Sequence, residues 1–205
     1  MKIAVNDPLA CAQARRVIEA GQVLCLPTDT VYGIGADPRN PQAITALLAA
    51  KSRTRQMPPP VLVASIDQAR ELCAEINVAA QTLMEHYWPG ALTIILPARP
   101  NLGWDLGQTN GTVALRMPDS PDTLALLAEI GPLAVTSANL HGRTPARDVD
   151  EAYEQLGESI ALYLAGPVCA SVTPSTIIDL SSSPRIVRVG AIAPQLLSEL
   201  LGVAL

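Results

Sequence analysis

Apolar residues recur along this chain at two alternating periods. Ala10, Ala14, Val17 and Ile18 follow the three- and four-residue spacing of an amphipathic helix, with Asp7 and Pro8 as its start signals and Gly21 as its stop. A strand is predicted over 22–27. Asn40 and Pro41 repeat the start signal, and Ile44, Leu47 and Leu48 form the inner face of a second helix whose last turn presents Lys51. Beyond it the pattern predicts strands near 61–64, 92–96, 112–117, 133–136, 160–164, 176–180 and 186–189. Helices are predicted over 66–72, 78–87, 121–129, 149–156 and 194–201, with a turn at Trp88, Pro89 and Gly90. This alternation predicts an α/β protein, a single domain over 1–205 with a twisted, mixed β-sheet flanked by helices.

Composition narrows the class of partner. The chain has 205 residues, 49% of them hydrophobic and 16% charged, enough for one sizeable core. Phenylalanine is absent and aromatics make up 3%, so the chain has little material for the stacking platforms of single-stranded nucleic-acid binders. Fourteen Lys and Arg against 19 Asp and Glu also deny it a general affinity for a phosphate backbone, so any RNA contact would have to be local. Cys11, Cys25, Cys73 and Cys169 are scattered without a C-x-x-C pair, which points to buried, reduced thiols and gives no reason to expect a metal site. No apolar run reaches the roughly 18 residues of a membrane span, and the opening MKIAVNDP lacks the form of a leader, so the expected location is the cytoplasm.

Chemistry concentrates in a few segments. CLPTDTVYGIG, residues 25–35, runs from an apolar strand into hydroxyls, a carboxylate and glycines. Thr28, Asp29, Thr30 and Tyr32 then project from a loop into the crevice at the strand ends where open α/β sheets bind ligands; an ordinary Thr/Asp turn closed by Gly33 and Gly35 is the plainer reading. Lys51, Arg53 and Arg55 gather positive charge in an acidic chain whose only other lysine is Lys2. Such a cluster suits a polyanion, with arginine able to engage phosphate bidentately, although a solvated helix end stabilised by the macrodipole has the same composition. Thr112 and Arg116 share one face of a strand. Ser137 and Asn139 end the strand LAVT, Ser175 opens another, and Arg188 closes the last. The chain has no G-x-x-x-x-G-K-[ST] loop and no G-x-G-x-x-G. His86 reads as a helix end and His141 as a turn residue beside Gly142.

The order of these segments resembles a known family. PTDTVYGIGAD, the K-x-R pair at Lys51 and Arg53, WPGALTIIL, TVALRMP, TSAN, and STIIDL followed by IVRVGAI are similar to the threonylcarbamoyl-adenylate synthases of the YrdC type, over about 20–190. The chain is similar to the short form of that family. The resemblance implies condensation of L-threonine, bicarbonate and ATP, with Mg2+, to threonylcarbamoyl-AMP and pyrophosphate, the product passing to tRNA through tRNA-modification proteins. It implies that Thr30, Arg116 and Ser175 hold threonine or its carbamate, Arg116 through the carboxylate. It implies that Lys51 and Arg53 are catalytic and that they, with Thr112, Ser137, Asn139 and Arg188, surround ATP. Many relatives carry a second lysine where Met57 stands and a leucine where Pro59 stands, which makes Arg55 the nearest substitute cation for ATP. Some place a histidine where Leu62 stands. The rival readings are a module that binds RNA, a paralogue of the same fold that binds RNA or nucleotide without synthase activity, and the carbamoyl-transfer module of hydrogenase maturation.

Overall fold

A computed structural model describes residues 1–51 and 55–205. In chain order its elements begin β1 (Lys2–Ala4), α1 (Ala10–Glu19), β2 (Leu24–Leu26), β3 (Gly33–Ala36), α2 (Pro41–Ala50), β4 (Val61–Leu62), α3 (Ile66–Arg70) and α4 (Val78–Tyr87). They continue with β5 (Leu92–Pro97), β6 (Thr112–Arg116), α5 (Pro121–Ile130), β7 (Leu133–Ser137), α6 (Val149–Leu156), β8 (Leu162–Ala165), β9 (Thr176–Asp179), β10 (Arg185–Arg188) and α7 (Pro194–Leu201). Among the described residues all ten strands join one sheet, in the order β1-β8-β2-β3-β7-β4-β6-β5-β9-β10. Parallel and antiparallel pairs are mixed along it, β8 lying parallel to both β1 and β2 while β3 is antiparallel to β2 and β7.

Local chemistry explains the helix starts. Asn40 Oδ1 accepts from the N–H of Gln42 at 3.0 Å and of Ala43 at 3.3 Å, with Pro41 in the first turn, so two otherwise orphaned donors are satisfied. Asn77 and Ser65 cap α4 and α3 in the same way. The first helix begins later than its sequence signals predict, at Ala10. Asp7 spends its carboxylate on the N–H of Leu9 at 2.8 Å and its carbonyl on that of Ala10, which makes a separate turn ahead of the helix.

Side-chain alternation along the strands divides the core into two layers. On one face Cys25, Ile34, Val61, Leu115, Ile94 and Ile178 pack against α2, α3, α4, α6 and α7. On the other face Leu24, Leu26, Leu62, Leu133, Val135, Leu162 and Leu164 pack against α1 and α5. Those two helices cover only the β8-β2-β3-β7-β4 part of that face. Across β6, β5, β9 and β10 no helix among the described residues lies over it.

The strand β3 replaces the closed Thr/Asp turn that Gly33 and Gly35 suggest. It pairs antiparallel with both β2 and β7. A Cβ on Gly33 would lie 2.6 Å from Val135 Cγ1, so the glycine keeps the neighbouring strand and its apolar layer close.

Candidate active site

The uncovered part of the sheet face is the floor of a cavity of about 790 Å³, within the range of small-molecule sites. This corrects the expectation of a crevice at the carboxyl ends of the strands. Among the described residues only α1 and α5 cover this face, so the free space lies across strands and not at their tips. Two rows of side chains cross the floor. Leu62 pairs with Arg116, Thr93 with Ile177, and Ile177 with Arg188, which makes one row from β4 to β10. Ala114 pairs with Ile95, Ile95 with Asp179, and Asp179 with Arg185, which makes the other.

Arg116 anchors one end of the first row. Its side chain is 7% exposed, and Nη2 donates to Asp29 Oδ1 at 2.6 Å, Nη1 to Thr30 Oγ1 at 3.0 Å and Nε to the Gly90 carbonyl at 3.0 Å. Burial pulls the guanidinium below its usual value, and the Asp29 carboxylate opposes that shift. Asp29 also accepts from the Asp119 N–H at 3.1 Å, so the carboxylate is itself held. Thr28 ties the loop: its Oγ1 lies 3.1 Å from Thr30 Oγ1 and donates to the Val31 carbonyl at 2.7 Å. Tyr32 Oη donates to the Gly166 carbonyl at 3.0 Å and accepts from its N–H at 2.8 Å; burial pushes this phenol up to about 12. Cys169 Sγ donates to the Thr28 carbonyl at 3.3 Å. The segment after β8 is thereby pinned to the loop after β2.

The other end of the row is built around Ser175. Its Oγ lies 2.8 Å from Thr93 Oγ1, and Arg188 donates to its carbonyl through Nε at 3.0 Å and Nη2 at 2.7 Å, and to its Oγ at 3.0 Å. A Cβ on Gly190 would sit 2.3 Å from the Pro174 carbonyl oxygen, so glycine permits this close crossing. Arg116 and Arg188 stand three strands apart, about 14 Å at the usual spacing.

Of the residues singled out in the sequence, Thr30, Thr112, Arg116, Ser137, Ser175 and Arg188 border this one cavity. Lys51 sits elsewhere than expected. It is fully buried behind the end of β7, and Nζ donates to the Ser137 carbonyl at 2.5 Å, Ser137 Oγ at 3.2 Å, and the Asn139 carbonyl and Oδ1 at 2.9 and 2.7 Å. Asn139 is buried with it and donates to the carbonyls of Leu140 and Arg143. The pair therefore shapes the loop that offers Ser137, and neither side chain borders the cavity. Arg55 forms an ion pair with Asp105 on the surface, and neither residue borders the cavity. Its carbonyl accepts from the Gln108 N–H at 3.0 Å, which ties its loop to the one before β6, while Gln56, Met57 and Pro58 border the cavity. Arg53 lies outside the described residues. Leu62, on the covered side, and Met57, at the rim, both border the cavity, where the YrdC-type resemblance has histidine and lysine.

Sequence reasoning missed Thr93, Asp179 and Arg185. Thr93 alternates with core residues Leu92 and Ile94, and that alternation was the available signal. Burial works against the Asp179 carboxylate, but the Ser181 hydroxyl and N–H and the Arg185 guanidinium outweigh it and hold the group below the usual carboxylate range. His86 lies in the last turn of α4 with its ring edge-on to Tyr87, and His141 is exposed in a turn. Cys25, Cys73 and Cys169 are buried and Cys11 is partly exposed; all four are free thiols.

A mixed sheet with one half-covered face, and guanidinia and hydroxyls on the bare half, defines an α/β domain built to bind an anionic small molecule. The chain belongs to the Sua5/YciO/YrdC family, whose model, described as "Telomere recombination", matches residues 16–190. A Mycobacterium tuberculosis protein is 45% identical over 187 residues, which is 91% of this chain and 86% of the relative. The threonylcarbamoyl-AMP synthase of Bacillus subtilis is 35% identical over 204 residues, covering 98% of this chain and 59% of its own length. The crystal structure of P. abyssi Sua5 complexed with L-threonine matches with a TM-score of 0.91 at 28% identity, over 98% of this chain and 61% of that one. This chain thus spans about three fifths of the length of those last two proteins.

Proposed function

We propose that this chain is a threonylcarbamoyl-AMP synthase, converting L-threonine, bicarbonate and ATP to threonylcarbamoyl-AMP and pyrophosphate. The observation that carries this reading is the row joining Arg116 to Arg188 through Thr93 and Ile177, with Ser175 bound to Thr93 and Arg188 beside it, on the bare stretch of sheet. It offers one guanidinium for a carboxylate and another for a phosphate within a single cavity. Relatives that bear the synthase name, and a relative that binds L-threonine, support it.

The chemistry asks for positioning more than for a nucleophile. The threonine amine and bicarbonate give a carbamate with loss of water. A carbamate oxygen then attacks the α-phosphorus of ATP, forming the new O–P bond as the bond to the bridging oxygen of pyrophosphate breaks. Anions meet anions at each stage, so fixed guanidinia and hydroxyls lower the barrier by holding charge and geometry. Arg116, already oriented by Asp29, Thr30 and Gly90, would take the threonine carboxylate without having to reorganise. Ser175 would hold the carbamate beside Arg188. Thr112, Ser137 and Arg188 would line the nucleotide, with Lys51 and Asn139 fixing Ser137 from behind and Arg53 adding charge at the loop.

Magnesium fits this site as part of the substrate. Asp179 is a carboxylate on the cavity floor, and both its oxygens already accept, from Ser181 and from Arg185. The ion would enter on the phosphates of ATP and neutralise their charge there. The product would pass to tRNA through modification proteins. The formal charge of −5 favours that route over tight binding of tRNA by this chain. No helix among the described residues is long and apolar enough to cross a membrane.

Pyrophosphate release tests the reading directly. With Mg–ATP, threonine and bicarbonate together, turnover is expected; omission of either threonine or bicarbonate should abolish it. ATP binding with no pyrophosphate released under the complete mixture would contradict the synthase and leave a nucleotide-binding paralogue.

A further inference from the structure

β10 reads Arg-Ile-Val-Arg, and in an unbroken strand its two arginines, three positions apart, would face opposite sides of the sheet. They do not. Against β9, Arg185 pairs with Asp179 and Ile186 with Ile178, but the register then shifts and Arg188 pairs with Ile177. Val187 is the extra residue of a β-bulge, which returns Arg188 to the face that Arg185 already occupies, and both border the cavity.

The two guanidinia have different surroundings. Arg188 is bound to Ser175, at the polar row. Arg185 rests on Asp179: Nη2 donates to Oδ2 at 2.7 Å, while Oδ1 is held by the Ser181 N–H at 2.9 Å and hydroxyl at 2.6 Å. The carboxylate side chain is 7% exposed and the arginine above it 67%, so a fixed base carries an accessible plane. That contact also offsets the charge of Arg185, which makes it a weaker phosphate ligand than a bare guanidinium. The floor beside it is Ile95 and then Ala114, both apolar. Among the described residues bordering the cavity there is no aromatic ring. The planar group available next to that apolar floor is the Arg185 guanidinium, which can stack on a π-system as well as pair with an anion.

Building on the reading of this cavity as a nucleotide site, we infer that Arg185, seated on Asp179, stacks on the base of the purine nucleoside triphosphate over Ile95 and Ala114. The bulge at Val187 thus supplies two separate contacts from one short strand. Arg188 serves the polar row and Arg185 the base.

Calorimetric titration of the full chain with ATP and with inorganic tripolyphosphate separates base from phosphate. Arg185→Ala should weaken ATP about tenfold, in line with the loss of one stacked plane, and leave tripolyphosphate within about twofold. Arg185→Lys keeps the charge without the plane and should recover little of the ATP affinity. Equal loss for both ligands, full recovery by lysine, or unchanged ATP binding in Arg185→Ala would overturn the assignment. If the unsubstituted protein does not bind ATP, the nucleotide reading itself falls; if it binds and Arg185→Ala binds equally well, only the role of Arg185 falls. The side chain is 67% exposed, so both variants should fold.

Discussion

The two halves of one sheet face have the same geometry and opposite fates. From β8 to β4 its side chains are Leu162, Leu164, Leu24, Leu26, Leu133, Val135 and Leu62, sealed beneath α1 and α5. From β6 to β10 the alternation presents Thr112, Ala114, Arg116, Thr93, Ile95, Ile177, Asp179 and Arg185, the bulge at Val187 adds Arg188, and no helix among the described residues covers them. The strands are continuous across the boundary, and Leu62 on one side pairs with Arg116 on the other. The difference teaches that this site is made by leaving out a layer: the sheet supplies rigid positions, and the exposed half exchanges apolar area for fixed polar groups. On the opposite face α2, α3, α4, α6 and α7 pack against the sheet and support the floor from below.

If that division is right, substitutions in the two halves should separate stability from activity. Arg116→Ala gives the largest effect, because it removes both a proposed ligand for threonine and the partner of a largely buried carboxylate. Breaking such a pair costs about 3 kcal/mol, which chemical unfolding should register, and the KM for threonine should rise far more than that for ATP. Leu127→Ala, fully buried under the covered half, should cost roughly 2–5 kcal/mol of stability while the KM values for threonine and ATP stay unchanged at a temperature where the protein is folded.

Thr93→Val is the converse substitution in the open half. It keeps shape and strand propensity and removes only the hydroxyl at Ser175, so stability should change by about 1 kcal/mol while kcat for pyrophosphate release falls. A variant that lost stability with unaltered kcat would place Thr93 in the scaffold instead of the site. The smallest effect concerns Asp179, whose carboxyl is held below its ordinary value of about 3.9. A depressed folded value contributes stability that is present above the ordinary carboxylate pKa and is lost as pH falls through the lower, folded one. Urea unfolding of the wild type and Asp179→Asn should therefore differ most near neutral pH, with the gap narrowing below pH about 4. A gap that widened in acid would reverse the sign of this contribution.

Much of the architecture can be read from the chain because its signals are local. Asn40 with Pro41, and the apolar spacing of α4, α6 and α7, place those elements where the structure has them. β3 was hidden because its sequence, Gly-Ile-Gly-Ala, carries turn residues; only the close approach of Val135 explains why glycine is needed in a strand there. The short edge strand β1 has three residues and too little pattern to register. At the site, ordered motifs identify Thr30, Thr112, Arg116, Ser137, Ser175 and Arg188, which the fold gathers around one cavity. Whether a cation faces ligand or protein is a tertiary matter. Lys51 carries the same charge in the sequence whether it meets phosphate or the carbonyls of Ser137 and Asn139, and Arg55 whether it meets phosphate or Asp105. Arg185 was missed because its partner Asp179 lies on the neighbouring strand, and the bulge that brings Arg188 onto the same face shifts the period that sequence reading relies on.

The central claim is that the bare half of this face holds threonine and nucleotide side by side. A crystal structure of the protein soaked with L-threonine and a non-hydrolysable Mg–ATP analogue tests it most directly. The threonine carboxylate is expected on the Arg116 guanidinium and the nucleotide over β5 and β9, reaching toward Arg188. Ligands bound in another part of the molecule, with the floor between Arg116 and Arg188 left empty, would contradict it.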